Sequence, residues 1–470
     1  MTENCRIEHD CVGELEVPAD AYYGCQTLRA VENYHITGIT LSHYPRLIHA
    51  LAYVKMAAAE ANASLGLLDE DKARAIVRAC EELLQGKLHD QFVVDAVQGG
   101  AGTSTNMNAN EVICNRALEI LGHCKGEYDI IHPLNHVNMS QSTNDVYPSA
   151  LNIALILENR ELLDAMQYLR GAFMDKGVEF RDVIKMGRTQ LQDAVPMTLG
   201  QEFTAWGVMV GEDVERLSEA QSLVHEINMG ATAIGTGLNS HPDYTRTVTE
   251  KLVQITTLPL KASPDLVEAT QDTGAYVQLS GVLKRIVVKM SKICNDLRLL
   301  SSGPRCGLNE INLPPRAPGS SIMPGKVNPV IPEVVSQVAY AVIGSDMTVT
   351  MASEAGQLEL NVMEPVIAYS LFQSINMTRR ACLTLADLCV KGITANADRC
   401  REMVEHSIGL VTALNPYMGY EMSTEVAKEA MDSGRSVYDI VLEKGCLTKE
   451  ELEDILKPEN MVRPRYIHRK

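Results

Sequence analysis

Four segments of the chain combine hydroxyl, amide and glycine residues, and each lies just before or at the start of a helical stretch. A helix N-terminus presents free N–H groups and the positive end of the helix dipole, so such segments favour anions. Because Ser, Thr and Asn also cap helices, any one segment alone would indicate only a cap. Four of them, together with Lys326 and Arg188, predict a site for a small molecule with two carboxylates. The segments are 98–108, 136–145, 187–193 and 319–329.

The sequence lacks the familiar motifs for nucleotide, metal and hydrolytic chemistry. Five residues separate Gly319 from Gly325, where a phosphate loop needs four, and Lys326 is followed by Val rather than Ser or Thr. The twelve histidines form no cluster with metal-ligand spacing, and neither HExxH nor an EF-hand loop occurs. We therefore expect no metal site and no cofactor. A hydrolase triad built on Ser320 stays open, although no GxSxG elbow supports it.

Charge and cysteine usage restrict the partners and the compartment. The net charge of −18 disfavours nucleic acid and anionic membranes, which would repel the chain. No run of about 18 uncharged apolar residues is present, so no membrane span is expected. The twelve cysteines form no CxxC pair, and the first residues lack the basic-then-apolar pattern of a signal peptide. These features predict a cytoplasmic protein with reduced thiols.

Long helices must position the polar segments. The clearest apolar seam alternates steps of four and three residues from Leu279 to Leu300, a 3.5-residue period. We expect this seam to continue into neighbouring subunits, so that the face with Met290 and Ile293 is partly intermolecular. Thr198 and Gln201 have the spacing of a capping box. Further helical stretches are predicted at 149–180, 198–228, 329–357 and 362–391, and a loop at 303–333.

The predicted fold is mainly all-α. It consists of a long central helix bundle flanked by two smaller domains, and the subunits share a multi-helix core. The predicted domains are an N-terminal domain at 1–142, the central bundle at 143–398 and a small C-terminal domain at 399–470.

The segment 319–329, Gly-Ser-Ser-Ile-Met-Pro-Gly-Lys-Val-Asn-Pro, resembles the signature loop of the aspartase/fumarase superfamily. The resemblance extends over essentially the whole chain, through 98–111, 136–148, 187–202 and 228–239. It implies a homotetramer around a shared bundle of long helices, with each active site assembled from three subunits. It also implies that the signature loop can close over the substrate.

The resemblance implies proton abstraction from a carbon next to a carboxylate. That carbon is a weak acid, and its deprotonation places a second negative charge on the carboxylate, so hydrogen-bond donors must meet the charge that develops. In the family the base is the first serine of the loop, here Ser320. The resemblance also implies the binding residues. One carboxylate of the substrate is bound by Thr103, Ser142, Thr143 and Ser321, and the second by Thr189, Lys326 and Asn328. Asn144 binds the amino group, and Gln190 lies close to it.

Two features favour the aspartase branch of the superfamily. Gln190 stands where fumarases carry a histidine, and Val-Ile-Pro-Glu follows Pro329 where fumarases typically have Thr-Gln-Cys-Glu. The expected reaction is the reversible deamination of L-aspartate to fumarate and ammonia, with magnesium activation left open. The alternatives are hydration of fumarate and a non-catalytic, crystallin-like structural protein.

Overall fold

The computed structural model describes residues 5–461, without the side chains of Pro458 and Glu459. The ends of the first and third predicted domains, 1–4 and 462–470, lie outside the described residues. The helices are α1 (Cys25–Asn33), α2 (Pro45–Ser64), α3 (Glu70–Leu84), α4 (Thr103–Ile120), α5 (Thr143–Glu179), α6 (Leu199–Gln221), α7 (Tyr244–Thr256), α8 (Leu266–Gln271), α9 (Gly274–Leu300), α10 (Val330–Glu354), α11 (Glu364–Leu388), α12 (Ala397–His406), α13 (Leu410–Met418), α14 (Tyr420–Ser433), α15 (Val437–Glu443), α16 (Lys449–Ile455) and α17 (Pro458–Met461).

Strands are short and occur in two-stranded pairs. The pairs are antiparallel except for β5 with β6, which is parallel. The mainly all-α prediction is therefore confirmed. The strands are β1 (Cys5–Asp10), β2 (Gly13–Pro18), β3 (Ile184–Thr189), β4 (Gln192–Thr198), β5 (Glu226–Ile227), β6 (Lys261–Ala262), β7 (Ile311–Asn312) and β8 (Thr394–Ala395).

Five helices, α5, α6, α9, α10 and α11, have 23 or more residues each. The longest, α5, has 37 residues, which corresponds to about 55 Å of helix. The predicted capping box forms at the start of α6. The Gln201 N–H donates to Thr198 Oγ1 and the Thr198 N–H donates to Gln201 Oε1, both at 3.1 Å.

The 3.5-residue seam of α9 is buried within the single chain. Met290 is 3% exposed and Ile293 is 0% exposed, and Met290 Sδ lies 3.8 Å from Cys382 Sγ on α11. The prediction that this face is partly intermolecular is therefore wrong. Period alone shows that a face is buried but does not identify the element that buries it.

The chain forms two compact units, each made of three separate segments. Unit 1 comprises Met1–Leu163, Glu215–Arg285 and Tyr340–Thr378. Unit 2 comprises Asp164–Val214, Ile286–Ala339 and Arg379–Lys470. The predicted division after residue 142 coincides with the start of α5, whereas the one after residue 398 falls inside α12. The three-domain division itself stays a prediction.

Within unit 2, the β3–β4 hairpin shares a core with the short C-terminal helices. Ile184 and Met186 of β3 belong to the same buried cluster as Val404 on α12 and Leu410 on α13. Ser407 Oγ also donates to Asp193 Oδ2 at 2.6 Å. The C-terminal helices therefore support the hairpin that carries two predicted site residues. Among the described helices, none is both long and apolar enough to span a membrane.

Candidate functional site

Thr103 is the first residue of α4 in unit 1, and its side chain is exposed. The turn before it is left-handed at three successive residues, Gly100 (φ 90°), Ala101 (φ 55°) and Gly102 (φ 89°). Gly102 allows a close approach, because a Cβ there would lie 2.3 Å from the Tyr147 ring. The turn is thus packed too tightly for another residue type, and it holds the N-terminus of α4 in place.

Ser142, Thr143 and Asn144 lie at the N-terminus of α5, where Asp145 fixes them. Ser142 Oγ accepts the Asn144 N–H at 3.2 Å, and Asp145 Oδ1 accepts the Ser142 N–H at 2.9 Å. This reciprocal pair satisfies donors that a helix start leaves free. Each of the three predicted residues is half-buried, so its polar atoms are oriented but still accessible.

The loop after β5 holds this helix start from the other side. Asp145 Oδ2 accepts the N–H groups of Gly230 (3.1 Å) and Thr232 (3.0 Å). Asn144 Nδ2 donates to the Ala233 carbonyl at 2.7 Å, and Asn228 Nδ2 donates to the Asn144 carbonyl at 3.0 Å. The resemblance at 228–239 thus coincides with a segment that positions the α5 N-terminus.

A buried amide network joins the two helix starts of unit 1. Asn106, one turn along α4 from Thr103, donates through Nδ2 to Thr143 Oγ1 at 3.2 Å and to Asn138 Oδ1 at 3.1 Å. Lys55, which is fully buried, donates to the same Asn138 oxygen at 2.8 Å. The network therefore holds the first turn of α4, which begins at Thr103, against Thr143 at the start of α5.

Two buried charges lie beneath these residues. Burial lowers the pKa of Lys55 to about 7, with Asp145 opposing the shift. Burial also raises the pKa of Asp145 to about 6, although the N–H groups it accepts oppose that shift. Sequence reasoning missed Lys55, and it gave Asp145 no role although that residue lies in the segment 136–145. The run of asparagines on α4 (Asn106, Asn108, Asn110, Asn115), all buried, is the signal that could have indicated the network.

Thr189 and Gln190 lie in unit 2 at the tip of the β3–β4 hairpin and are exposed. Thr189 pairs with Gln192, so Gln190 and Leu191 form a two-residue turn, in which both have positive φ (54° and 63°). Such turns normally carry Asn or Gly at these positions. The backbone is therefore strained where the hairpin presents its predicted site residues.

Arg188, next to the tip of this hairpin, is engaged in an ion pair rather than available for a ligand. Its Nη1 lies 2.6 Å from Glu310 Oε1, and Lys185 Nζ lies 3.0 Å from Glu310 Oε2. Glu310 is fully buried, so both cations are needed to compensate its charge. The sequence suggestion that Arg188 helps to hold a carboxylate does not fit this arrangement.

The signature loop of unit 2 is held at its two ends. The Gly319 N–H donates to the Lys326 carbonyl at 2.6 Å, and Asn328 Nδ2 donates to the Gly319 carbonyl at 3.2 Å. A side chain at Gly319 would lie 2.7 Å from that Lys326 oxygen, so the crossing needs glycine. Ser320 is half-buried, and its Oγ accepts the Ile322 N–H at 3.2 Å. Ser321 and Lys326 are exposed.

The predicted site residues thus fall into two groups within one chain. Unit 1 carries Thr103, Ser142, Thr143 and Asn144, and unit 2 carries Thr189, Gln190, Ser320, Ser321, Lys326 and Asn328. The contacts described above assemble the first group around two helix N-termini. The second group lies on two exposed loops.

Elsewhere in unit 1, Glu8, Cys25 and Glu111 bring potential ligand atoms within 4.8 Å of one another. Both carboxylates already serve the start of α1: Glu111 Oε2 accepts the Gly24 N–H at 2.7 Å, and Glu8 Oε2 accepts the Cys25 N–H at 2.9 Å. Burial raises the pKa of the Cys25 thiol to about 12, and a protonated thiol is a poor ligand. The cluster is explained by capping, and the absence of a catalytic metal stays a prediction.

Comparison with known proteins places this geometry in a family. A family model described as "Lyase" matches residues 13–344, and one described as "Fumarase C C-terminus" matches residues 410–463. The chain belongs to the aspartase/fumarase superfamily. The resemblance seen in the signature loop is thereby confirmed.

Similar superfamily members include enzymes and solved structures. An aspartate ammonia-lyase of Pseudomonas aeruginosa is 62% identical, and the match covers 98% of each chain. One of Escherichia coli is 54% identical, with 99% of this chain and 98% of that one covered. A fumarate lyase:delta crystallin structure from Brucella melitensis, bound to cobalt, has a TM-score of 0.95 at 55% identity, covering 98% of this chain and 100% of that one. A class II fumarase from Schistosoma mansoni has a TM-score of 0.92 at 34% identity, with the same coverage.

Proposed function

We propose that the chain catalyses the reversible deamination of L-aspartate to fumarate and ammonia. The observation that carries the proposal is 62% identity to an aspartate ammonia-lyase over 98% of both chains. The site chemistry supports it, because the paired N-termini of α4 and α5 present hydroxyl and N–H donors that suit a carboxylate. Gln190, a neutral amide at the hairpin tip, supports an amino leaving group over a hydroxyl one.

In the proposed mechanism Ser320 removes a proton from Cβ of the substrate. Its Oγ must act as an alkoxide, which the Ile322 N–H donor and the Lys326 ammonium of the same loop help to stabilise. The electron pair moves into the β-carboxylate, where Thr103, Ser142 and Thr143 donate to the developing charge. The pair then returns to form the double bond as the C–N bond breaks. The substrate ammonium leaves as neutral ammonia, so no acid is needed at position 190.

We also propose that the working enzyme is a homotetramer. Tyr340, Ile343, Met347 and Met351 form a helical stripe of exposed apolar side chains on α10, and Met347 is 62% exposed. A stripe of this kind suits burial against another subunit. Met347→Glu should lower the mass in solution measured by light scattering, and an unchanged mass would place the interface elsewhere.

We further propose that the enzyme needs no cofactor and works in the cytoplasm. The twelve cysteines, all unpaired in the structure, support a reducing compartment. Activation by magnesium stays an open expectation.

The substrate proposal is tested by comparing two reactions on one preparation. L-Aspartate should yield fumarate, followed by its ultraviolet absorbance, together with an equal amount of ammonia. Fumarate should form aspartate at saturating ammonium much faster than it forms malate, compared as kcat/KM. Faster malate formation would make the enzyme a fumarate hydratase. No reaction in either direction would support a non-catalytic, structural protein.

A further inference from the structure

The start of α4 lacks the side chain that usually caps a helix. Its N-cap residue is Gly102, and a side chain there would meet the Tyr147 ring at 2.3 Å, so Ser, Thr or Asp does not fit this position. The N–H groups of the first turn must therefore find acceptors elsewhere. The N–H of Thr105, the third residue of the helix, finds one in Gln98 Oε1 at 2.9 Å.

The buried side chain of Gln98 bridges the turn before α4. Its Nε2 donates to the Asp95 carbonyl at 2.9 Å, while its Oε1 accepts the Thr105 N–H. Both polar atoms of the amide are therefore used, one on each side of the turn. Within the turn, the Thr103 hydroxyl donates to the Gly100 carbonyl at 2.7 Å. The direction of that hydroxyl therefore depends on the segment that Gln98 spans.

The segment to which Gln98 is tied is itself fixed by hydrogen bonds. Asp95 is buried, and its Oδ2 accepts the N–H groups of Thr37 at 2.8 Å and Gly38 at 3.0 Å. Its Oδ1 accepts the Thr37 hydroxyl at 2.8 Å and the Val97 N–H at 2.9 Å. Because these bonds join two loops at Asp95, the bond from Gln98 ties the start of α4 to a firm anchor.

The first turn of α4 also bears on a second proposed donor. Asn106, the fourth residue of the helix, donates through its main-chain N–H to the Gly102 carbonyl at 3.0 Å. Its Nδ2 donates to Thr143 Oγ1 at 3.2 Å. A shift of the α4 start would therefore move Asn106 against Thr143 at the start of α5. The positions of two proposed donors, the hydroxyls of Thr103 and Thr143, thus depend on how this turn is held.

We propose that Gln98 is a positioning residue for the deamination. By joining Asp95 to the first turn of α4, it holds the Thr103 hydroxyl where the β-carboxylate of the substrate takes up negative charge. A donor that is fixed beforehand has no reorganisation to make as that charge develops. Gln98 acts through Thr103 and does not itself contact the substrate. The inference rests on the proposed function.

The first test compares Gln98→Met with the parent in steady-state deamination of L-aspartate. Methionine has a similar length, but it has no donor for the Asp95 carbonyl and only a weak acceptor for the Thr105 N–H. We expect kcat to fall by about 10²-fold, the cost of displacing a reacting group by about 1 Å. KM should change much less, because the affected donor acts mainly in the transition state. A parental kcat, or a change confined to KM, overturns the proposal.

Gln98→Glu separates positioning from a general loss of stability, and it decides the question if Gln98→Met does not fold. A protonated carboxyl can accept from Thr105 and donate to the Asp95 carbonyl, as the amide does, whereas an ionised one has no proton to donate. Burial favours the protonated form. The ratio of kcat in the variant to kcat in the parent should therefore be highest at acidic pH and fall as the carboxyl ionises. A ratio that is as low as for Gln98→Met at every pH contradicts the proposal.

The ratio also removes the titration of groups that both proteins share. These include the Asp95 carboxylate and the Tyr34 phenol, whose oxygen lies 3.3 Å from the position of a side chain at Gly99.

Hydrogen exchange without substrate tests the bridge independently of turnover. The Thr105 amide should exchange at least about tenfold faster in Gln98→Met than in the parent, because its acceptor is lost. Unchanged exchange at Thr105 would mean that Gln98 does not hold the turn.

Thr448→Val is the matched control for loss of a cap. Thr448 Oγ1 accepts the N–H of Glu451, the third residue of α16, as Gln98 does for the third residue of α4. The control should keep the parental kcat. Absence of L-aspartate turnover by the parent would reject the proposed function, whereas parental turnover in folded Gln98→Met would reject this inference alone.

Discussion

The helix start at 142–145 and the signature loop at 319–328 present similar residue types in opposite structural settings. At the helix start, Asp145 alone accepts three N–H groups, from Ser142, Gly230 and Thr232, and is fully buried. In the loop, hydrogen bonds close the two ends, while Ile322 is 84% exposed between them.

This structural difference matches two proposed roles: the helix start binds a substrate carboxylate, and the loop carries the base. Donors that must meet a substrate carboxylate gain from being fixed before the substrate arrives, because no ordering cost is then incurred on binding. A base that must approach Cβ and then release product gains from a segment that a few contacts hold. Substitutions in the first region should therefore affect stability and activity together, and those in the second should affect activity alone.

The largest effect is expected from Ser320→Ala. Turnover should fall by about 10²–10⁴-fold, the usual contribution of a general base, while the thermal midpoint stays unchanged. Ser433→Ala, at an exposed serine on α14, is the control and should keep full turnover. Near-normal turnover in folded Ser320→Ala would show that Ser320 is not the base.

A matched pair sharpens the contrast between the regions. Asp145→Asn places the NH₂ group of an amide against N–H donors, so the free energy of unfolding should fall by about 2–4 kcal/mol. Lys326→Met, at an exposed position, should change the free energy of unfolding by less than about 0.5 kcal/mol. It should raise KM, because Lys326 is proposed to bind a substrate carboxylate. Urea unfolding and steady-state kinetics on both variants, with Lys428→Met as an exposed control, make the comparison. Equal destabilisation by Asp145→Asn and Lys326→Met would show that the loop is fixed as firmly as the helix start.

Lys55→Met tests the buried charge through its pH dependence. Burial lowers the pKa of Lys55 from its ordinary value of 10.5 to about 7 in the folded chain. Between these values the unfolded chain binds a proton that the folded chain lacks, so the parent gains stability as pH rises. The facing groups are Asp145, already ionised in this range, and Cys80. The free energy of unfolding of the parent should rise relative to that of the variant by about 1.4 kcal/mol per pH unit from pH 7 towards 10.5. Parallel unfolding profiles would mean that Lys55 titrates normally.

The smallest effect is expected at the hairpin tip. Leu191 is 72% exposed and has φ 63°, a conformation that costs a side-chain-bearing residue about 1–2 kcal/mol. Leu191→Gly should raise stability by about 1 kcal/mol or less, since the greater freedom of glycine in the unfolded chain offsets part of the gain. Thermal unfolding measures this, and a lower midpoint would mean that Leu191 packs against something in the assembly.

Much of the fold can be predicted from the sequence because long helices carry their own periodicity. The stretches predicted at 329–357 and 362–391 form α10 (Val330–Glu354) and α11 (Glu364–Leu388), and the Thr198 cap forms as its spacing indicates. The β3–β4 hairpin was not predicted, because its strands are short and a bulge between Met186 and Arg188 interrupts their alternation.

The sequence identifies site residues only where the residue type itself supplies a hydrogen-bond donor. The hydroxyls and amides of the four segments could be selected from the sequence, but their supports could not. Lys55 and Asn138 are 83 residues apart and meet only in the folded chain. Glu364 looks like an ordinary acidic residue at a helix start, and only the structure shows that it is buried.

The interleaving of the two units has a consequence for synthesis on the ribosome. Unit 1 needs its last segment, Tyr340–Thr378, and unit 2 needs Arg379–Lys470, so neither can be completed early. At about 5–20 residues per second, the chain waits tens of seconds before the first unit has all its parts. During that time α9 lacks its partners on α10 and α11. Newly made chains therefore expose the surfaces that chaperones bind, and slowing translation before residue 340 should increase aggregation more than slowing it near the end.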